Sequence, residues 1–518
     1  MSQLERKIMK TRTKNQRSAI SPPASLCEAL RAGNQKSVII TKFILLLALL
    51  LTLGAARAQA QGQMIGINIL LNQPVTESIL QDLGTHGRVL DVISQINGVT
   101  LRAQSSELST IQSLLYVAGA NPDAQGAAQN DFSDGTNYWN LDAVNVTEFG
   151  ASPPRVVGYD GDGVYVGVID SGLPFNWRAY FPEERMATEF ARSFSGGGGE
   201  RGKVSGQPQT WERDTNGHGI AVTSVILGFN YNLSDPTLPA TFNGVAPKAT
   251  VIPVKIIEER GFYWYSRLTR ALLYLTDLKI DGSLGNSPLV INHSGGGSGD
   301  DVLMRAAIDY AIANGVVVVA AAGNEADAGM RFPGRYAPVI STGASGWVGM
   351  FPPDDPTLIQ WILNDVAEAD PSQHGIAPFS AWELPGEDLD VVAPGFAVPV
   401  SGPEAGGGIG RVDYFFFGGT SAASPHVAGI AALILQKNPG LTAAQIEEIL
   451  ENTAFPLPPG CRSNIMAPVF PPPGHWWSFR WTDIANIILF NITVCWDANV
   501  AGHGLVQADA ALAATPLP

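Results

Sequence analysis

The sequence predicts an α/β fold with a mostly parallel central sheet flanked by helices on both faces, preceded by a small α+β domain. Short runs that are apolar on both faces recur through the main body, as in strands of a buried parallel sheet. These runs are residues 164–169, 250–257, 288–291, 316–320 and 389–392. Amphipathic helical patterns lie between the runs, at residues 266–278, 301–314 and 442–452. Alternation of this kind is typical of parallel strands joined by helical crossovers.

Length and charge limit the classes of protein to consider. The 518 residues allow about three domain-sized units, although one large α/β core with appendages fits equally well. With 45% hydrophobic and 15% charged residues, the composition is that of a globular protein. Residues 1–60 carry a net charge of +8, so the remainder of the −15 chain carries −23. A surface that acidic repels phosphate backbones, so we expect no nucleic-acid partner.

The first 60 residues predict an N-terminal signal region. Eight Lys and Arg residues precede Lys42, an apolar run follows at 43–54, and Ala-x-Ala sites end at Ala58 or Ala60. A positive segment, a short apolar segment and a small-residue cleavage site are typical of export signals. A retained membrane anchor is the alternative, but the run is shorter than the roughly 20 residues that a span needs. We therefore expect a secreted or periplasmic protein with no stable membrane partner.

Residues 61–122 predict a separate small domain. Strands are expected at 64–71, 88–96, 99–103 and 116–119, and helices at 76–83 and 106–114. This βαββαβ order indicates a ferredoxin-like α+β unit. Residues 123–136 are small and polar, which is typical of a linker open to cleavage. The remaining residues, 137–518, form the main domain, with an insertion at about 455–500.

Cysteine usage suggests one disulfide and leaves metal binding open. Export would remove Cys27, which leaves Cys461 and Cys495 in the insertion. A pair of cysteines in an exported protein suggests one bond closing a loop, and two free buried thiols are the alternative. The Cys and His residues lack zinc-ligand spacing, and no dense run of Asp and Asn marks a calcium loop.

Polar residues follow several of the predicted strands directly. Asp170 follows the run at 164–169, Ser294 closely follows the run at 288–291, and Asn324 follows the run that begins at Val316. The carboxyl ends of parallel strands share one edge of a sheet, where ligands bind in such folds. His218, flanked by glycines at a helix start, lies between the first two in sequence. Taken singly, each residue is better explained as a cap or turn residue.

The segment 418–429 presents a serine at the start of an apolar helix. Gly418 and Gly419 permit a sharp turn that delivers Ser421 onto the first helical turn, where its backbone N–H is available to an anion. A lone Gly-Thr-Ser is more often an ordinary helix start. The combined set meets the needs of acyl transfer, because His218 would take the proton of Ser421 while Asp170 orients the imidazole. Asn324 and the Ser421 amide would bind the oxyanion.

These motifs resemble those of the subtilisin-like serine peptidases, whose Asp, His, Ser order is the same. The resemblance extends from about residue 139 to residue 511 and implies a triad of Asp170, His218 and Ser421, with Asn324 as the oxyanion side chain. It also implies two backbone edges that hold a peptide substrate: Gly261, Phe262 and Tyr263 on one side, and Ser294, Gly295 and Gly296 on the other. Such binding is mainly to the substrate backbone, so side-chain selectivity should be modest.

The same resemblance implies the biology of the chain. The unit at 61–122 is similar to the family's propeptide, which is chaperone and inhibitor of its own peptidase until self-cleavage removes it. We therefore expect a secreted serine endopeptidase made as a zymogen, acting on proteins or peptides through an acyl-enzyme intermediate. We expect a monomer that needs no cofactor for its chemistry. Structural calcium is common in the family, but no ligands can be assigned from this sequence.

Departures from the family pattern affect substrate choice. Gly295 stands where a leucine is common, which would open one wall of the pocket for the residue before the cut. Arg331 falls close to a position often held by glycine and could favour acidic side chains.

Two other functions are considered. A serine-glutamate-aspartate peptidase would carry Glu where His218 stands, and a catalytically silent peptide-binding scaffold should have lost a triad member.

Overall fold

The computed structural model describes residues 63–128, 131–133, 139–148, 155–230, 241–349, 365–366, 370–402, 413–468 and 489–518. The predicted signal region therefore lies outside the described residues, as do parts of the predicted linker and insertion. Residues Met64–Pro518 form one compact unit. Among the described residues, no helix is long and apolar enough to cross a membrane.

Residues 64–122 form a four-stranded antiparallel sheet with two helices, here called the N-terminal unit. Its elements are β1 (Met64–Leu71), α1 (Glu77–His86), β2 (Gly87–Ile93), β3 (Gly98–Gln104), α2 (Leu108–Gln112) and β4 (Val117–Pro122). The sheet order is β2-β3-β1-β4. The strands and helices follow one another in the predicted βαββαβ order. Their core is aliphatic and includes Ile67, Ile69, Leu83, Leu101 and Ile111.

Two short strands follow, β5 (Gln125–Ala128) and β6 (Asp131–Ser133). The first half of the main body contains α3 (Trp139–Asp142), β7 (Tyr165–Asp170), β8 (Arg192–Ser195), α4 (Gly198–Arg201), β9 (Ser205–Gln207), α5 (His218–Leu227), β10 (Gly228–Asn230), β11 (Thr241–Asn243), β12 (Thr250–Lys255), β13 (Phe262–Trp264) and α6 (Tyr265–Ile280).

The second half contains β14 (Leu289–His293), β15 (Gly295–Gly296), α7 (Val302–Ala313), β16 (Val316–Ala321), β17 (Ile340–Trp347), β18 (His374–Ile376), β19 (Val391–Pro394), β20 (Val398–Gly402), β21 (Asp413–Gly418), α8 (Thr420–Lys437), α9 (Ala443–Thr453), β22 (Gly460–Pro468), β23 (Leu489–Trp496) and α10 (Ala508–Ala514).

The central sheet has nine strands and is mostly parallel, as predicted. Its order is β18-β17-β16-β14-β7-β12-β8-β9, and β19 pairs with β17. The antiparallel pairs within it are β17 with β18 and β8 with β9. Helices α5 and α8 contribute Ile220 and Val427 to one buried cluster, whereas α6 and α7 contribute Leu268 and Leu303 to another. Helices therefore cover both faces of the sheet.

The sequence pattern did not reveal strand β17. Its residues read Ile-Ser-Thr-Gly-Ala-Ser-Gly-Trp, and all eight are buried. Small polar residues are tolerated there because strand pairing and nearby groups satisfy them, as when Ser341 donates to Asp390. A strand can therefore be buried without being an apolar run.

The insertion is an antiparallel pair of strands, β22 and β23. Cys461 lies opposite Cys495 in their register, and a disulfide joins the two residues. Arg462 donates to the carbonyl oxygen of Pro371 at 2.8 Å, which ties the pair to the body next to β18. Residues 469–488 of the predicted insertion lie outside the described residues.

Candidate active site

The carboxyl end of β7 and the first residue of α5 bring an acid and an imidazole together. The two carboxylate oxygens of Asp170 lie 2.8 and 2.9 Å from Nδ1 of His218. Both residues are fully buried. A carboxylate only accepts hydrogen bonds, so Nδ1 carries the proton and Nε2 of the neutral ring is the basic nitrogen. This is the orientation that a general base needs.

The turn after Asp170 fixes the start of α5. Ser171 accepts from the Gly219 N–H at 2.7 Å and donates to Asp214 at 2.9 Å. A Cβ on Gly219 would lie 2.2 Å from the Gly172 carbonyl oxygen, so only glycine permits this close approach. Burial raises the pKa of Asp214 to about 6, against the opposing charge of Lys255. The glycines around His218 therefore allow the helix to touch the strand that carries its acid.

Ser421 occupies the second position of α8. Gly419, just before the helix, has a φ of 116°, which favours glycine. The Ser421 hydroxyl donates to the Ser294 carbonyl at 3.0 Å, and the Ser294 hydroxyl donates to the Ser421 carbonyl at 3.0 Å. The His218 ring packs edge-on against Phe417, with 5.2 Å between ring centroids. The start of α8 is thus fastened to the end of β14 and lies beside the imidazole.

The carboxamide of Asn324 has a defined orientation. Its Oδ1 accepts from the backbone N–H of Thr420 at 2.8 Å and from the Thr420 hydroxyl at 3.0 Å. Since a backbone N–H can only donate, the oxygen of the amide must face Thr420. The Asn324 NH₂ group then points away from Thr420 and is available as a hydrogen-bond donor close to the first turn of α8. That is a suitable place for an oxyanion donor.

The two predicted substrate edges flank a strand of the chain itself. Strand β5 pairs antiparallel with β13 on one side and with β15 on the other. Phe262 faces Ala127, and Gly295 faces Ala128 in the register. Gly261 lies in the turn before β13 with a φ of 79°, outside this pairing. The backbone between these edges is therefore held as an extended peptide.

Tyr263 contributes its backbone to this pairing, but its side chain points inward. Tyr263 is 1% exposed, whereas its neighbour Phe262 is 45% exposed. The Tyr263 hydroxyl lies 2.8 Å from Nε2 of His293. Among the side chains of β13, Phe262 is the most exposed.

His293 is a residue of the site that the sequence interpretation missed. Its Nδ1 lies 2.8 Å from the carbonyl oxygen of Ile169, so Nδ1 donates and Nε2 accepts from Tyr263. Burial lowers the pKa of His293 to about 4. This ring therefore stays neutral at physiological pH and joins β7, β13 and β14 behind the sheet edge that carries Asp170. The signal was present, because His293 directly precedes Ser294 at the end of a predicted strand.

Arg331 lies beside the glycine edge. Its Cβ would be 2.9 Å from a Cβ on Gly296, and its Nε is 2.9 Å from a carboxylate oxygen of Glu325. The guanidinium is therefore already paired with an acid, and the two side chains are partly buried.

Comparison with known proteins identifies the family of this chain. The model of the Subtilase family, Peptidase S8, matches residues 161–485. Alkaline elastase YaB from Bacillus sp. (strain YaB) is 31% identical over 300 residues, which are 58% of this chain and 61% of that protein. Subtilisin E from Bacillus subtilis (strain 168) is 31% identical over 303 residues, covering 57% and 62%.

Subtilisin DY from Bacillus licheniformis is 32% identical over 311 residues, which are 59% of this chain and 89% of that protein. The match thus spans about three fifths of the first two relatives and most of the third. Fervidolysin from Fervidobacterium pennivorans, described as a keratinolytic enzyme related to subtilisin, has the same fold with a TM-score of 0.57 at 20% identity, covering 89% of this chain and 62% of its own. Because the family model matches more than half of its residues, this chain belongs to the subtilase family.

Proposed function

We propose that this chain is an exported serine endopeptidase that hydrolyses peptide bonds through an acyl-enzyme intermediate and is made as a self-processed zymogen. In this proposal Ser421 is the nucleophile, His218 the general base and Asp170 the acid that orients it. The main support is the buried contact of 2.8 Å between Asp170 and Nδ1 of His218, at the start of the helix that packs against α8. Membership of the subtilase family supports the same reaction class.

The proposed reaction needs the proton of Ser421 to move to Nε2 of His218 as the hydroxyl oxygen attacks the substrate carbonyl carbon. The imidazolium formed is stabilised by Asp170, and it then protonates the leaving amine. In the second half of the reaction, His218 takes a proton from water as the water attacks the acyl-enzyme, and it then returns a proton to Ser421 as the acid product leaves. In the described structure the Ser421 hydroxyl also contacts the Ser294 carbonyl. A small rotation about the Ser421 Cα–Cβ bond would redirect the hydroxyl from that carbonyl.

Oxyanion stabilisation is assigned to the Asn324 amide and the backbone N–H of Ser421. The fixed direction of the Asn324 carboxamide supports this role, because Thr420 holds its oxygen at 2.8 Å. Preorganised donors act without reorganisation cost when charge develops. Replacing Asn324 with Ala should lower kcat by about 10²–10³-fold with little change in KM.

The zymogen proposal rests on where the chain runs between the N-terminal unit and the main body. Strand β5 ends at Ala128 between the two substrate edges. Strand β6 begins at Asp131, which faces Gly418 in the register with β21. Strand β5 thus ends opposite Gly295, next to the Ser294 that contacts Ser421, and β6 begins opposite Gly418, three residues before Ser421. We infer that the cut falls between Ala128 and Asp131, within the linker expected from the sequence, and that residues 61–128 are the inhibitory propeptide.

Substrate preference should be governed by the paired Arg331 and Glu325. A guanidinium already bound to a carboxylate offers little to an acidic substrate side chain, so the preference for Glu before the cut should be weak. Replacing Glu325 with Gln removes the competing charge and should raise kcat/KM for peptides with Glu before the cut relative to Ala. An unchanged ratio of these two kcat/KM values would show that Arg331 does not face the substrate.

Two measurements test the proposed function. The purified full chain is incubated with a fluorophosphonate probe, and mass spectrometry is used to find the labelled residue. We expect labelling of Ser421 after processing and none in the Ser421→Ala variant. N-terminal sequencing should give a mature chain beginning at Gln129, Asn130 or Asp131, and Ser421→Ala should accumulate uncut. A processed chain that leaves Ser421 unlabelled and hydrolyses no peptide would favour the silent scaffold.

A further inference from the structure

Two aromatic rings fill the space beside the glycine of strand β15. A Cβ on Gly295 would lie 3.2 Å from Nε2 of His293 and 3.4 Å from Cε1 of Tyr263. The first distance is tighter than ordinary van der Waals contact, and the second is at its limit. The rings come from β14 and β13, so two other strands occupy the place that a side chain at position 295 would take.

The register shows which substrate positions would face these rings. Directly opposed residues of an antiparallel pair carry their side chains on the same face, and successive residues alternate between faces. Tyr263 is 1% exposed and lies opposite Gly126, so the position of Gly126 belongs to the inward face. Phe262 is 45% exposed and lies opposite Ala127, so that position belongs to the outward face. A peptide in the place of β5 would thus direct alternate side chains inward.

The ring of Tyr263 spans the space beneath β5. Strand β5 lies between β13 and β15 in a three-stranded sheet. Adjacent strands are about 4.8 Å apart, so the two outer strands are about 10 Å apart. The side chain of Tyr263 starts on β13, yet its Cε1 reaches to 3.4 Å from the Cβ position of Gly295 on β15. The ring therefore crosses under the backbone of the central strand.

His293 holds the Tyr263 ring in this place. The Tyr263 hydroxyl lies 2.8 Å from Nε2 of His293, and the two rings pack edge-on with 5.2 Å between their centroids. Nδ1 of His293 is in turn 2.8 Å from the Ile169 carbonyl oxygen. Both side chains are buried. The ring can swing aside only by breaking a buried hydrogen bond, which costs free energy.

We propose that Tyr263, held by His293, is a specificity-determining residue that closes the inward side of the cleft, so that the peptidase selects substrates with glycine or alanine opposite Tyr263. The chain's own strand agrees, because residues 125–128 read Gln-Gly-Ala-Ala and place a glycine there. A larger residue is accepted at the next position, which lies opposite the exposed Phe262. The substrate class is therefore extended, glycine- and alanine-rich protein segments. This inference rests on the proposed peptidase function.

Peptides with the sequence of residues 123–133, carrying a fluorophore and a quencher at their ends, test the preference. They are cleaved by the processed protein obtained from the full chain. One set carries Gly, Ala, Leu or Phe at the position of Gly126, and a matched set varies the position of Ala127 in the same way. From Gly to Phe, kcat/KM should fall about 10–100-fold in the first set, because the space is filled. It should change by less than about threefold in the second set. Equal effects in the two sets would overturn the proposal.

Two variants assign the preference to the ring. Tyr263→Ala removes the ring, whereas the matched control Tyr263→Phe keeps it and loses only the hydroxyl. Tyr263→Ala should raise the ratio of kcat/KM for the Phe peptide to that for the Gly peptide at least tenfold. Tyr263→Phe should keep a ratio close to that of the parent. If Tyr263→Ala cleaved the Gly peptide and kept the parental ratio, another residue would set the preference.

A third measurement needs no catalysis and no change at Tyr263. Gly126→Phe and Ala127→Phe are made in the full chain with Ser421→Ala, and amide hydrogen exchange of residues 124–128 reports how firmly β5 is held. Exchange should be at least tenfold faster in Gly126→Phe and within threefold of the parent in Ala127→Phe. Equal exchange in the two variants would contradict the closed inward side. If exchange differs as expected and yet no peptide is cleaved, the proposed function fails and the role of Tyr263 in holding this strand stands.

Discussion

Two buried polar clusters in this molecule hold their carboxylates in opposite ways. In the candidate active site, a carboxylate oxygen of Asp170 lies 2.8 Å from Nδ1 of His218. At the contact between the N-terminal unit and the main body, Asp123 faces another acid, Asp301. We call this second cluster the seam, and its members are Asn68, Asn121, Asp123, Ser266 and Asp301. Burial is nearly complete in both places, so the difference between them comes from the partners.

The seam is fastened by amides shared between acids. The Asn68 amide nitrogen lies 3.2 Å from Oδ1 of Asp123 and 2.5 Å from Oδ2 of Asp301. Ser266 donates to the other oxygen of Asp123 at 3.1 Å. Burial raises the pKa of Asp123 well above its usual value, and repulsion from Asp301 adds to the effect. Burial raises the pKa of Asp301 too.

The comparison shows how the partner decides the form of a buried acid. A carboxylate next to an imidazole can stay ionised, because it stabilises the imidazolium that forms when the base takes a proton. A carboxylate that is buried, and next to another carboxylate, is disfavoured in its charged form, so its pKa is raised. The first arrangement suits catalysis. In the zymogen proposed above, the second arrangement would suit a contact that is released after processing, because ionisation of both acids weakens it.

The strongest test of this contrast replaces the catalytic acid by its neutral isostere. Asp170→Asn keeps the shape of the side chain, but an amide NH₂ facing Nδ1 favours the wrong imidazole tautomer. We expect the rate of self-cleavage of the full chain to fall by about 10⁴-fold. A time course of processing on denaturing gels measures the rate, and the thermal midpoint should shift only slightly by comparison.

The same substitution at an exposed position is the control. Asp497 is exposed, and the full chain with Asp497→Asn should cleave itself at the parental rate. If Asp170→Asn processed within tenfold of the parent, Asp170 would not act as the partner of the base, and the contrast between the two clusters would lose its catalytic half.

A smaller effect should come from His293, a buried imidazole whose two ring nitrogens contact the Ile169 carbonyl and the Tyr263 hydroxyl. The pKa of His293 is about 4 in the folded chain, below the usual 6.5. Between these two pH values the imidazole is protonated in the unfolded chain and neutral in the folded chain. The contribution of His293 to the free energy of unfolding is therefore complete above about pH 6.5 and falls as the pH drops towards 4. The free energy of unfolding decreases by about 1.4 kcal/mol for each pH unit in this range, or by about 3 kcal/mol in total.

The variant His293→Gln isolates this contribution. Glutamine can donate to the Ile169 carbonyl and accept from Tyr263, but it cannot take up a proton in this range. In the Ser421→Ala full chain, the loss of stability between pH 6.5 and 4 should be smaller in the variant by up to about 3 kcal/mol. Urea unfolding at a series of pH values measures it. An identical acid dependence would mean that His293 is not held neutral by its site.

Sequence alone predicted the parts of this molecule that follow a regular pattern. The family and the α/β class could be predicted because apolar runs end directly in Asp170 and Asn324, and because glycines surround His218 and Ser421. The contact between Asp170 and His218 depends on that edge geometry, and the structure brings these two residues together. The roles given to Ser421 and Asn324 remain a proposal supported by their neighbours.

Other features could not be predicted because they depend on partners distant in sequence. Asp301 reads as a helix cap, and it does accept from the Leu303 and Met304 N–H groups. Its contact with Asn68 spans 233 residues, so no local pattern reports it. Strand β17 was hidden by its small polar residues, and the inward turn of Tyr263 depends on His293. The closeness of Asp390 to Glu447 and Glu451 likewise joins segments that are distant in sequence.

The last expected effect belongs to the seam, and it has the opposite sign to that of His293. The pKa of Asp123 is raised in the folded chain, so the stability it contributes is present at low pH and is lost as the pH rises above its ordinary value of 3.8. The slope cannot exceed about 1.4 kcal/mol per pH unit for each proton released. In the variant Asp123→Asn, the side chain still offers an oxygen that accepts from Ser266, but it does not titrate.

In the Ser421→Ala full chain, Asp123→Asn should therefore flatten the decline of stability on the alkaline side and leave the acid side as in the parent. His293→Gln should do the reverse, so the two variants serve as controls for each other in one set of urea titrations. If Asp123→Asn left the alkaline decline unchanged, the seam would not be held by a proton. The N-terminal unit would then be kept in place by its other contacts, such as the pair formed by Arg270 and Asp91 at 2.7 Å.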